Sequence, residues 1–215
     1  MYKKLSFLFF VFCCYASPSL AKVKPHAQAK KVLAHIKTPS NFQADFIYSR
    51  QEKDAEEPQQ IQGKVCTKGN KYKIALDEQI IISNGEVIWN YLPTLHEVHI
   101  NNFEAEDTAA LFSPTQLMHI YQQGFIPIAL KIATIDKAEY DIVELIASDQ
   151  ENFIKHLSLT IGKESHQIKN MNALDSNGTI HSFIMINLVS GMDVENSYFE
   201  FDATKYKDLE IVDLR

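Results

Sequence analysis

Val32, Leu33 and Ile36 recur at spacings of three and four, which predicts an amphipathic helix over 25–38. Pro25 fits its first turn and Pro39-Ser40 stops it. From residue 42 the period becomes two. Phe42, Ala44, Phe46 and Tyr48 share one side of a strand, and 61–65, 72–76, 80–82, 87–91 and 98–100 continue the alternation. Lys68-Gly69-Asn70 and Ser83-Asn84-Gly85 are turn signals, and the charged run 52–58 reads as a solvated hairpin loop. Such short strands with close turns describe an antiparallel meander, because parallel strands need a crossover of about a dozen residues.

The middle of the chain breaks the alternation. Ser113-Pro114 opens a second predicted helix through Tyr121, with Leu117, Ile120 and Tyr121 on one side and Gly124 as its stop. Phe112, Phe125, Ile126 and Pro127 around it are apolar without strand periodicity. The meander resumes over 140–147, 153–161, 165–171 and 180–188, with Asn177-Gly178 as a hairpin turn. Phe199-Glu200-Phe201 and 209–214 finish the chain. A single sheet of about 10–11 strands tends to curl, and only two helical segments are available to cover it. The expected fold is mainly β with some α: a curved, open antiparallel sheet, an unclosed β-barrel, under a helical lid that leaves a hollow.

The first residues stand apart. Lys3 and Lys4 precede an apolar run over 5–15, and Ser19-Leu20-Ala21 is a small-x-small site. This pattern predicts a signal peptide over 1–21, a mature start at Lys22 and one domain over 22–215. The apolar run is too short to span a bilayer, which takes about 20 residues. Val11 and Phe12 are bulky where a lipidation signal before Cys13 or Cys14 takes small residues, so an unlipidated product is expected. Removing Lys3 and Lys4 takes the net charge from −6 to −8, which argues against a nucleic-acid partner. Cys66 is then the one remaining cysteine, so the fold must hold by its core; a small apolar residue on a strand is the simpler reading of it.

Catalytic and metal patterns are missing. His96 and His99 are three apart, which on a strand sends them to opposite faces, and the helical zinc motif needs one more residue between them. No nucleophile elbow, phosphate-cradling loop or dinucleotide fingerprint occurs, and the carboxylates cluster in loops such as 54–57 and 104–107. The chain reads as a binding protein without a cofactor, not as an enzyme.

The order of landmarks adds to this. Asn41-Phe42-Gln43-Ala44-Asp45-Phe46 follows a helix, then come Gly63-Lys64-Val65 and Lys71-Tyr72-Lys73-Ile74. Ile82-Ser83-Asn84-Gly85-Glu86-Val87-Ile88-Trp89-Asn90-Tyr91, Asn177-Gly178-Thr179-Ile180-His181-Ser182-Phe183 and Phe199-Glu200-Phe201 complete the succession. From about residue 24 to 215 it resembles the outer-membrane lipoprotein carrier family, with Ser-Asn-Gly-x-x-x-Trp-x-Tyr as the most specific piece. The resemblance implies a monomeric periplasmic carrier that takes acylated lipoproteins from an inner-membrane lipoprotein-releasing transporter to an outer-membrane lipoprotein acceptor. It implies an apolar cavity for acyl chains, for which the candidate lining is Phe46, Tyr72, Ile74, Trp89, Tyr91, Ile184 and Ile186, with Leu117, Ile120 and Tyr121 on the lid. Family members carry an arginine in the turn after the second strand that helps hold the lid. Here a one-residue gap puts Lys68 at that place, and no gap puts Gly69 there; Lys68 is the candidate for lid control. A periplasmic lipid-sensing or structural domain of the same fold is the alternative reading.

Overall fold

The computed structural model describes residues 26–103 and 117–215. The expected signal peptide 1–21 with its Lys22 start, Pro25, the acidic stretch 104–107, Phe112 and the Ser113-Pro114 opening of the second helix lie outside the described residues.

The first helix, α1, spans Ala27–Ala34, shorter than the expected 25–38. His26 caps it, its Nδ1 accepting from the Ala29 amide at 3.2 Å. Beyond residue 35 the backbone leaves the helix because Lys37 donates its amide to His166 O at 2.9 Å, on the turn between two strands. A helix of two turns is not stable alone and forms here by packing: Ala29 is fully buried, and Val32, Leu33 and Ile36 press on the sheet.

Twelve strands follow: β1 (Asn41–Gln51), β2 (Gln59–Lys68), β3 (Lys71–Leu76), β4 (Ile80–Ser83), β5 (Val87–Leu92) and β6 (Glu97–Asn102) form the first group. β7 (Phe125–Ile135), β8 (Ala138–Ala147), β9 (Ile154–Gly162), β10 (Ile168–Asp175), β11 (Ile180–Ser190) and β12 (Glu210–Asp213) form the second. Their order in the sheet is β12-β6-β5-β4-β3-β2-β1-β11-β10-β9-β8-β7. Two antiparallel meanders thus meet where β1 pairs β11, and the end strands β12 and β7 do not close on each other. The result is the expected curved, unclosed sheet.

Two strands depart from expectation. β7 covers residues whose apolar pattern reads as irregular, because a register shift between Pro127 and Ala129 resets the parity. It therefore brings Pro127 and Leu130 to one face, opposite Leu145 and Val143. Its proline is tolerated because β7 is an edge strand. β12 joins β6 in parallel, Ile211 opposite Val98, so the sheet is not wholly antiparallel.

Cross-strand partners share a face, so register separates two layers. On the inner face, which α1 covers, Ala44 lies opposite Val65, Val65 opposite Ile74 and Ile74 opposite Ile81. The same face continues through Tyr48 opposite Phe183, Phe183 opposite Met171, Met171 opposite Leu159 and Leu159 opposite Val143. Leu145, Leu157 and Leu159 are fully excluded from solvent there, and each such side chain contributes about 1.5–3 kcal/mol. On the outer face Cys66 lies opposite Lys73, Lys73 opposite Ile82, Ile82 opposite Trp89 and Trp89 opposite Ile100.

The outer face has its own cover at the β3–β6 end. After β11 the chain turns back through two short 3-10 helices, Asn196–Phe199 and Ala203–Lys205, before β12. Tyr91 meets Phe201 at 5.5 Å and Tyr206 at 4.6 Å between ring centres, and Phe201 stacks on Tyr206. Lys73 Nζ stands 4.6 Å over the Tyr198 ring, a cation–π contact. Phe199 and Val98 are fully buried in this second core, which also takes in Cys66, Ile82 and Tyr91.

Candidate functional site

The inner face is closed by the segment that follows residue 116. Leu117, Met118 and Tyr121 are buried in one cluster with Phe42, Ala44, Val65, Tyr72 and Ile74, and Ile120 packs against it. Leu117 is helical, Met118 and His119 turn, and Ile120–Gln122 is a 3-10 turn, so the helix expected through Tyr121 ends early. Gly124, at φ 76°, ends it and lets β7 begin at once. Among the described residues, no hydrogen bond joins 117–123 to a strand. Its described residues are held by apolar contact.

Under Leu117 and Ile120 lies a cavity of about 20 Å³, walled by Ile154, Met171, Ala173, His181 and Phe183. That is room for about one water molecule. Among the described residues the lid thus leaves room for little more than a water, and anything larger must displace it. At the other end of the lid a cavity of about 330 Å³ lies between Thr38, Pro39 and Ser40, the β2–β3 turn at Gly69 and Asn70, and Met118 and His119. Phe42 forms part of its lining. Among the described residues, the Thr38 hydroxyl oxygen is buried without a hydrogen-bond partner. An orphaned group of this kind costs about 1–3 kcal/mol.

One polar network is built into the inner face. Asp175 Oδ1 accepts from the amides of Asn177 at 2.8 Å and Thr179 at 2.9 Å, and its Oδ2 receives His181 Nε2 at 3.1 Å. His181 Nδ1 lies 2.9 Å from the Tyr48 hydroxyl. A carboxylate only accepts, so Nε2 carries the proton and, in neutral His181, Nδ1 accepts from Tyr48. Burial pushes the Asp175 carboxyl up, but His181 and the two amides outweigh it and hold the carboxyl below its usual range. Burial raises the Tyr48 hydroxyl. It also raises Tyr72, against a hydrogen bond from Ser83.

Of the candidate lining, the fold brings Phe46, Tyr72, Ile74, Leu117, Ile120 and Tyr121 together on the inner side. Phe46 reaches its place across Gly63, where an added Cβ would lie 2.8 Å from the Phe46 ring and 2.7 Å from Ala75 O. Trp89 and Tyr91 do not join them: they pair with Ile82 and Ile80 on the outer face, and the C-terminal segment covers that region. Ile184 and Ile186 are likewise outward, opposite Ile47 and Asp45, and Ile186 is 38% exposed. Their neighbours Phe183 and Met185 point inward instead. Because Trp89 faces away, its emission maximum should stay unchanged when an apolar ligand enters the inner side, as fluorescence titration will show.

Lys68 is also misplaced as a lid residue. Its ammonium donates to Val194 O at 2.5 Å and lies 4.0 Å from Asp193, both on the stretch that leads to the outer cover. Of the β2–β3 turn, Gly69 and Asn70 line the same cavity as Met118 and His119. Lys68→Met should therefore cost about 1 kcal/mol in urea unfolding and leave apolar-probe binding at the parent level.

The remaining sequence candidates resolve as structure. Glu97 and His99 share a hydrogen bond on β6, and no group of three or more potential metal ligands occurs among the described residues. Cys66 is a free, buried thiol whose pKa burial raises, with Lys73 opposing.

Comparison with known proteins agrees with this geometry. The family model described as outer membrane lipoprotein carrier protein LolA matches residues 37–202. A search of curated proteins finds no match. Among solved structures, an uncharacterized conserved protein from Thermus thermophilus superposes with a TM-score of 0.54 at 10% identity, covering 86% of this chain and 99% of that one. A LolA superfamily protein from Nitrosomonas europaea has a TM-score of 0.42 at 13% identity, covering 80% and 97%. A putative outer membrane lipoprotein-sorting protein domain from Vibrio parahaemolyticus has the same TM-score and identity, covering 80% and 94%. With its family model matched over most of its length and an open curved sheet to carry it, the chain belongs to the outer membrane lipoprotein carrier (LolA) family.

Proposed function

We propose that the chain is a periplasmic carrier that shields the acyl chains of lipoproteins on its inner face and moves them from an inner-membrane transporter to an outer-membrane acceptor. The observation that carries this reading is a continuous apolar face against which Leu117, Met118, Ile120 and Tyr121 of the lid pack by apolar contact. Each buried CH₂ contributes roughly 0.8 kcal/mol, so acyl chains can take the place of Leu117, Ile120 and Tyr121 on this face. Phe46, Tyr72 and Ile74 then meet the chains, while Leu117, Ile120 and Tyr121 swing away. The reading includes removal of residues 1–21, an unlipidated Lys22 start and a monomer.

The test is recovery of the exported chain from periplasm of cells that overproduce one lipoprotein, followed by mass spectrometry of what is bound. Recovery of the triacylated lipoprotein, and its displacement of an apolar dye from the purified chain, are the expected results. Dye binding that no lipoprotein competes away would replace the carrier reading with a lipid-sensing or structural one.

A further inference from the structure

The 330 Å³ cavity lies where the lid meets the β2–β3 turn, and nothing in the apolar lid mechanism requires it. Gly69 has φ 59°, and a Cβ built there meets no heavy atom within 4 Å, so the turn leaves this space open. Lys68, which has a long side chain, turns the other way to Val194. The floor is apolar, with Phe42 and Met118 each 2% exposed. The rim is polar: Ser40, Asn70 and His119 stand around it, and Thr38 borders it with a hydroxyl oxygen that is sealed from solvent and has no partner among the described residues.

An apolar floor under a polar rim suits neither a pure hydrocarbon nor a free ion. It suits the junction of an amphiphile, where ester or amide carbonyls join the acyl chains to a head. β1 runs from Phe42 at this cavity to Tyr48 at the opposite end of the inner face, six residues or roughly 20 Å. We propose that this cavity receives the carbonyl-bearing junction of the bound acyl ligand, with the sealed Thr38 hydroxyl uncovered as the ligand seats and donating to a carbonyl, while the chains run along β1 toward Tyr48. The assignment rests on the acyl-carrier reading above and gives the ligand a direction.

The experiment compares three fluorescent probes on the exported chain. One is a dipalmitoylated cysteinyl peptide, one a phospholipid with the same ester-linked chains, and one a hexadecyl probe that has no carbonyl. Thr38→Val should weaken both carbonyl-bearing probes about tenfold, the loss of one hydrogen bond, and leave the hexadecyl probe unchanged. Gly69→Arg should fill the cavity and weaken the carbonyl-bearing probes further; circular dichroism and thermal melting check that it folds, and Thr38→Val stands alone if it does not. Tighter parent binding of the peptide than of the phospholipid supports a lipoprotein source; the reverse order overturns that source. Parent-level binding of all probes by Thr38→Val overturns the cavity assignment while leaving the carrier reading intact. A parent chain that binds none of the three overturns both.

Discussion

Phe199→Ala should lower the unfolding free energy by about 3–5 kcal/mol, the usual cost of removing a fully buried phenylalanine, yet leave apolar-probe binding at the parent level. Phe199 is sealed in the outer core, edge-on to Tyr198 at 5.5 Å, and the sheet lies between it and the lid. The two layers share a backbone but no side chain. Urea unfolding measures the first effect, and dye titration well below the denaturation midpoint measures the second. A variant that stays folded and loses the dye would contradict this separation of faces.

Asp175→Ala should be comparably costly, about 3–5 kcal/mol, for a different reason. The Asp175 side chain is only 4% exposed, and its removal leaves two backbone amides and His181 Nε2 without their acceptor. Its pH dependence has a definite sign. The folded carboxyl titrates below the unfolded value near 4, so its stabilisation is complete above that value. It is lost as the pH falls through the lower folded pKa. Urea unfolding of the parent and of Asp175→Asn at a series of pH values should therefore show a gap that is widest near neutrality and closes in acid. A gap that is constant with pH would mean that the charge on Asp175 does not matter.

Much of this architecture is legible in the alternation of residues, but the assignment of faces is not. Period two says that Trp89 and Tyr91 share a side; it does not say which side of the sheet that is. The answer depends on register across four turns, and β4 offers isoleucines to both faces, Ile81 inward and Ile80 and Ile82 outward. Residues 183–186 are apolar at every position, so parity cannot choose between Phe183 with Met185 and Ile184 with Ile186. Pairing with Tyr48 and Phe46 decides it. β7 escaped for a related reason: its bulge breaks the parity that would have revealed it. The inner site was found where one strand's pattern sufficed, as with Tyr72 and Ile74. Thr38 and the open space at Gly69 carry no pattern, because they arise from the meeting of three distant segments.

Parallel pairing of β12 with β6 also sets an order of events. Strands β3 to β6 zip by local turns, but their outer side stays bare until a partner more than ninety residues further along the chain has emerged. A chain cut short before residue 196 keeps its first meander and presents Ile82, Trp89, Tyr91 and Val98 to water, beside an unpaired β6 edge. Incomplete copies thus carry their own label for proteases and holding chaperones, whereas a finished copy has tucked that label away.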